Sequence, residues 1–188
     1  MRMQEHLTLR YGGVAVALHW LIALLVFAGL TLGSYMVDLR MSPDKLKLYS
    51  YHKWIGITVL LLACLRAAWR VTHTPPPPNP EHPLWQRRAA SAAHLGLYLL
   101  LFALPLSGWL FSSASGFPVK YFGLVPLPDL VGKDKELADL FKTVHELLGW
   151  ALVLILGAHI AGALKHQFID KDRTLARMWF GRRKENHT

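Results

Sequence analysis

Five histidines stand where an ionisable side chain is costly. His19, His52, His94, His145 and His159 fall within or at the edges of long apolar runs. At such a depth a histidine faces the bundle interior, either to serve a site or to hydrogen-bond a neighbouring helix. His145 and His159 are 14 residues apart. At 3.6 residues per turn this is nearly four turns, so both leave one face of a helix, separated by a rise of about 21 Å. They cannot share one ion, but each can ligate a different one. A low-spin haem iron used for electron transfer takes one imidazole from each side of the porphyrin. Each ring therefore needs a partner at its own depth on another helix.

Depth narrows the partners. His52 opens the second apolar run, level with His145. His19 lies about a turn inside the first run, level with His159. His94, at the same end of the third run, competes with His19, and spacing does not decide between them. Gly56 and Gly149 each follow a histidine at i+4, and Gly162 follows His159 at i+3. Such glycines leave room for a flat macrocycle against the backbone, and they also serve plain helix packing. A zinc or di-iron site would draw three or four ligands to one depth. Here the histidines fall into two layers and the apolar runs hold almost no carboxylates, so haem fits better. No C-x-x-C-H occurs, which excludes covalent haem attachment.

These residues need elements to position them. The chain has 188 residues, 53% of them hydrophobic, and a positive mean hydropathy. The apolar residues are bunched into four runs, which predicts membrane spans at about 14–36, 51–70, 90–112 and 143–165. The fold class expected is all-α: one domain over 1–188, an integral membrane four-helix bundle with two haems in its core. The first run is too long for a signal-peptide core and is expected to be retained. Thirteen of the 21 basic residues fall on the side of the two termini and eight on the other, which assigns both termini to the cytoplasm. The net charge of +9 is then read as contact with lipid headgroups, with no nucleic acid as partner.

Between the spans, the 74–80 stretch with its run of prolines is a stiff spacer. The connection at 112–142 is apolar for a free loop and is expected to cap the bundle, with a short interfacial helix at 134–141. His6, His73, His82 and His187 are expected to be solvated. His166, seven residues past His159, is placed at the interface or against a cytoplasmic quinone.

The whole pattern resembles the prokaryotic cytochrome b561 family of four-helix dihaem proteins. The likeness runs through Leu18-His19-Trp20, His52 with Gly56, Ala93-His94-Leu95, Ala103-Leu104-Pro105, His145-Glu146 and His159. It continues into His166, Lys171-Asp172 and Leu175-Ala176-Arg177-Met178. It is strongest toward the superoxide oxidase (superoxide:ubiquinone oxidoreductase) members. The resemblance implies two non-covalent haems b, a bacterial inner-membrane location and electron transfer involving ubiquinone. Carried over, the ligands are His52 with His145 and His19 with His159, leaving His94 a quinone-site or haem-packing role. It further implies a basic outer surface that attracts superoxide. Lys53 and Lys142 flank the outer histidines, with Lys45, Lys47 and Lys120 nearby, and such a patch can steer a small anion. Gln167 is a departure, since the likeness has a second histidine there. Electrons from superoxide or another outer reductant are thus expected to reach ubiquinone near His94, His166 and the cytoplasmic arginines. The alternative is an anchor subunit relaying electrons for a partner dehydrogenase or hydrogenase.

Overall fold

A computed structural model describes residues 10–77, 82–172 and 174–179. His6 and His187, with Arg2, Arg173, Arg182, Arg183 and Lys184 of the charge count, lie outside them. Four long helices dominate: α1 (Gly13–Val37), α2 (Pro43–Thr72), α3 (Leu84–Ala114) and α4 (Lys135–Phe168). All four are long and apolar enough to cross a membrane, and each extends beyond its expected span. The closest backbone approaches join consecutive helices, α1 to α2, α2 to α3 and α3 to α4. Small residues permit them: a Cβ at Gly29 would stand 3.3 Å from Ile55, and one at Gly96 would stand 3.1 Å from Ile155.

The burial pattern is that of a bundle solvated by lipid. In the most apolar stretch of each helix, at most 17% of residues are buried. Leu24, Leu61, Leu99, Trp150 and Leu154 point outward. Apolar side chains can cover the outside when the solvent is hydrocarbon and every backbone group is paired within its helix.

The helix ends are specified locally. Ser42 caps α2, accepting from Lys45 N at 3.2 Å, with Pro43 in the first turn. Asp134 caps α4 by accepting from Leu137 N at 2.9 Å. The separate interfacial helix expected at 134–141 does not form. Those residues are the first two turns of α4, because no proline or glycine interrupts the chain before Gly149 and helical hydrogen bonding simply continues. Lys45 is also reassigned. Its buried ammonium donates to the carbonyls of Val37 (3.1 Å) and Leu39 (2.6 Å), closing the carboxyl end of α1.

The connection before α4 caps the bundle as expected. Two short antiparallel strands, β1 (Lys120–Tyr121) and β2 (Val125–Pro126), pair Lys120 with Pro126 and Tyr121 with Val125. Phe122 and Gly123 reverse the chain at φ of 51° and 73°. Trp54 Nε1 donates to Lys120 O at 2.7 Å, Trp109 Nε1 donates to Pro128 O at 3.1 Å, and Thr58 shares a hydrogen bond with the Tyr121 hydroxyl.

At the other end the tail turns back beneath the helices as a 3₁₀ turn, Leu175–Met178. Trp20 Nε1 donates to Met178 O at 2.8 Å, and Arg177 donates to Pro77 O at 2.8 Å. This part of the basic tail is therefore folded onto the bundle.

Candidate functional site

The five histidines gather into two layers. In the outer layer the His52 and His145 rings stand 6.1 Å apart, centre to centre, with planes at 84°. In the inner layer His19 and His159 stand 6.3 Å apart at 72°. His94 approaches the same His159 ring at 5.3 Å. Two imidazoles bound to opposite sides of one iron, with metal–nitrogen bonds of about 2.0 Å, hold their ring centres about 6.3 Å apart. The His52–His145 and His19–His159 separations fit that arrangement, and the His94–His159 contact is shorter.

The outer pair has a built surround. His145 Nδ1 lies 3.0 Å from Ser107 Oγ and 3.1 Å from the Leu104 carbonyl, while Ser107 itself donates to Leu104 O at 2.8 Å. A carbonyl only accepts, so Nδ1 carries the proton and Nε2 keeps its lone pair for a metal. Pro105 follows Leu104 within α3 and withdraws one N–H from the helix interior. His52 Nδ1 is buried, with a Gly29 backbone group beside it but no well-aligned hydrogen bond.

Glycine on a neighbouring helix lets both rings lie against the backbone. A Cβ at Gly33 would stand 3.1 Å from His52 Cε1, and one at Gly108 would stand 2.9 Å from His145 Cε1. A Cβ at Gly56, Gly149 or Gly162 would meet nothing within 4 Å. A signal for Gly33 and Gly108 does exist in the sequence. Gly33 is 14 residues past His19, and Gly108 is 14 past His94, the interval that separates His145 from His159. The fourth helix obeys it too, because Arg66 is 14 past His52. Each helix thus presents one residue per layer: Gly33, His52, Gly108 and His145 outside, and His19, Arg66, His94 and His159 inside.

Arg66 therefore belongs to the inner layer. It lies close enough to His19, His94 and His159 to act on all three electrostatically. Its Nε donates to the Tyr98 hydroxyl at 3.0 Å, and Arg70 also stands over that ring.

Above the outer layer, Ser50, Lys53, Trp54, Pro118, Lys120 and Gly123 line a shallow depression. Lys53 Nζ donates to Phe117 O at 2.9 Å. Lys142 is exposed and lies 3.8 Å from Glu146, which offsets its charge. Lys47 pairs likewise with Asp44 at 3.1 Å.

At the end of the bundle that carries the tail, His82 and His166 stack at 4.4 Å. His82 Nε2 bonds Asp172 Oδ2 at 2.8 Å, so His82 is packed and paired where solvation was expected. His166 Nδ1 lies 2.8 Å from the same oxygen and 2.9 Å from Asp170 Oδ2. Partial burial opposes ionisation of Asp172. Hydrogen bonds from Thr174 and His82, with His166 beside it, outweigh that and hold the carboxyl below its usual range. His73 remains exposed, its ring stacked on Trp69 at 3.7 Å.

The sequence profile described as prokaryotic cytochrome b561 matches residues 10–181. Cytochrome b561 homolog 2 of Escherichia coli (strain K12) is 42% identical over 170 residues, 90% of either chain. Cytochrome b561 homolog 1 of the same organism is 33% identical over 174 residues, 90% of this chain and 96% of that one. A Yersinia pestis protein named probable superoxide oxidase CybB is 30% identical over 176 residues, 90% of this chain and 95% of that one.

Proposed function

The chain belongs to the prokaryotic cytochrome b561 family, membrane electron-transfer proteins that bind haem b, and from that premise we propose a dihaem superoxide:ubiquinone oxidoreductase of the bacterial inner membrane. His52 with His145 and His19 with His159 would hold the two haem irons, and both termini face the cytoplasm. Gly33 and Gly108 seat the outer rings, and Ser107 with Leu104 O holds His145 in the tautomer that ligates. Bound haem supplies one-electron transfer within a low dielectric.

The reaction balances as follows. Two superoxide anions each give up one electron and leave as dioxygen, while one ubiquinone takes two electrons and two protons to become ubiquinol. Lys53 and Lys120 hold positive charge around the outer depression, where an anion approaching His52 must pass. Lys142, partly offset by Glu146, flanks His145. On the cytoplasmic side His94 and His166 line the quinone. Gly56, Gly149 and Gly162 face open space and can lie against the macrocycles.

The observation that carries this reading is the succession His52-Lys53. One residue faces His145 across a ligand-length gap and the next lines a depression with a second lysine. The name of the Yersinia relative agrees with it. The test is a pyridine haemochrome assay followed by a pulse of superoxide with ubiquinone present. Expected are about two haems per chain, reduced by superoxide and reoxidised as ubiquinol forms. Haems that ignore superoxide but accept electrons from a partner dehydrogenase would replace the enzyme with the anchor-subunit alternative.

A further inference from the structure

Outside the haem layers, three segments far apart in sequence place metal-binding atoms together. His82 comes from the connection before α3, His166 from the last turn of α4, and Asp172 from the returning tail. The atoms His82 Nε2, His166 Nδ1 and Asp172 Oδ2 all lie within 4.8 Å of one another. All three side chains are sheltered, at 18%, 17% and 15% exposure.

The internal hydrogen bonding of this cluster is incomplete. One carboxylate oxygen faces two ring nitrogens at 2.8 Å each. The His82 contact is a hydrogen bond. The His166 contact has the distance but not the alignment of one, and the same holds toward Asp170, so His166 Nδ1 is buried without a true hydrogen bond. Sheltered nitrogen of this kind is normally satisfied. The rings are stacked 4.4 Å apart and tilted by 19°, and a nitrogen of each lies 2.8 Å from the same carboxylate oxygen.

We propose that His82, His166 and Asp172 form a binding site for a divalent transition-metal ion of the zinc type, distinct from the haem sites. Two imidazoles and one carboxylate are the borderline donor set that such ions select over calcium or magnesium. A zinc ion at about 2.0–2.1 Å from each donor would take over the role of the shared proton and satisfy His166 Nδ1. Water or Asp170 would complete a four-coordinate shell. The ion would tie the second connection, α4 and the tail into one unit.

The experiment uses untagged holoprotein in detergent, equilibrated with micromolar zinc and dialysed. Metal content and the zinc K-edge absorption spectrum are then measured, a signal separate from that of haem iron. The expected result is about one zinc per chain, with nitrogen and oxygen neighbours at about 2.0–2.1 Å and the outer-shell scattering of histidine rings. His82→Gln and Asp172→Asn should each weaken binding at least about tenfold, with unchanged haem spectra reporting an intact fold. Absence of retained zinc in the wild-type protein would overturn the proposal. Zinc held equally well by both variants, or bound through the sulfur of Cys64, would overturn it as well.

Discussion

Gly108 and His145 touch so closely that a methyl group on the Gly108 Cα would stand 2.9 Å from the ring's Cε1. One of the two helices, or the ring itself, would have to move. The ring is held by Ser107 and the Leu104 carbonyl on the same helix as Gly108, so it cannot swing aside without breaking the bonds that set its tautomer.

Gly108→Ala should therefore destabilise the fold by about 1–3 kcal/mol and impair one haem site. The measurement is haem per chain, expected to fall from about two toward one. Gly33→Ala, whose added carbon would stand 3.1 Å from His52 Cε1, should be the milder of the two, because that approach is looser and His52 lacks the serine and carbonyl pair that fixes His145. Equal and full haem retention in both variants would remove glycine from the account of the outer site.

The inner layer yields a sharper contrast. His19 and His94 both approach His159, at 6.3 Å and 5.3 Å. If His19 is the ligand, His19→Ala loses one haem and His94→Ala keeps both while slowing ubiquinone reduction. Haem counts on the two variants decide it, and the opposite pattern would exchange their roles.

How much of this was legible beforehand depends on where each partner sits. The four spans follow from hydropathy, and the 14-residue interval on α4 needs only helix geometry. The partners Gly33 and Gly108 obey the same interval on other helices, yet an interval has meaning only once the depth and rotation of each helix are known. Gly56 and Gly149 lie on the histidines' own helices, whereas the glycines that touch the rings reach them from a neighbouring helix. The His82–Asp172 pairing joins residues 90 apart through a tail whose return has no hydrophobic period to announce it. Residues 134–141 read as a separate helix because their polar side chains mark an interface, while nothing in their backbone marks a break from α4.

Charge at the outer mouth should govern rate and leave haem content alone. Lys53→Gln removes one of two lysines lining the depression, and Lys120→Gln removes the other. Each should slow haem reduction by superoxide several-fold, and together they should slow it about tenfold or more. The dependence on ionic strength should flatten in step, since screening acts on steering. Stopped-flow rates at two salt concentrations check this. Lys142→Gln should matter less, because Lys142 does not line the depression and pairs with Glu146.

Arg66 gives the inner layer a fixed positive charge among three histidines, four turns below His52 on the same face of α2. Its bond to the Tyr98 hydroxyl orients it and leaves the charge in place. A unit charge about 7 Å from a redox centre, at an effective dielectric near 20, is worth about 2 kcal/mol, or roughly 100 mV for one electron. A cation favours the reduced, less positive centre, so Arg66→Gln should lower the inner midpoint potential by up to about 100 mV. The outer potential, about 21 Å of helix away, should move far less. A redox titration followed at the haem absorption bands resolves the two centres. If neither potential moves, Arg66 is a packing group for Tyr98 alone; if both move together, the two layers are not electrically distinct.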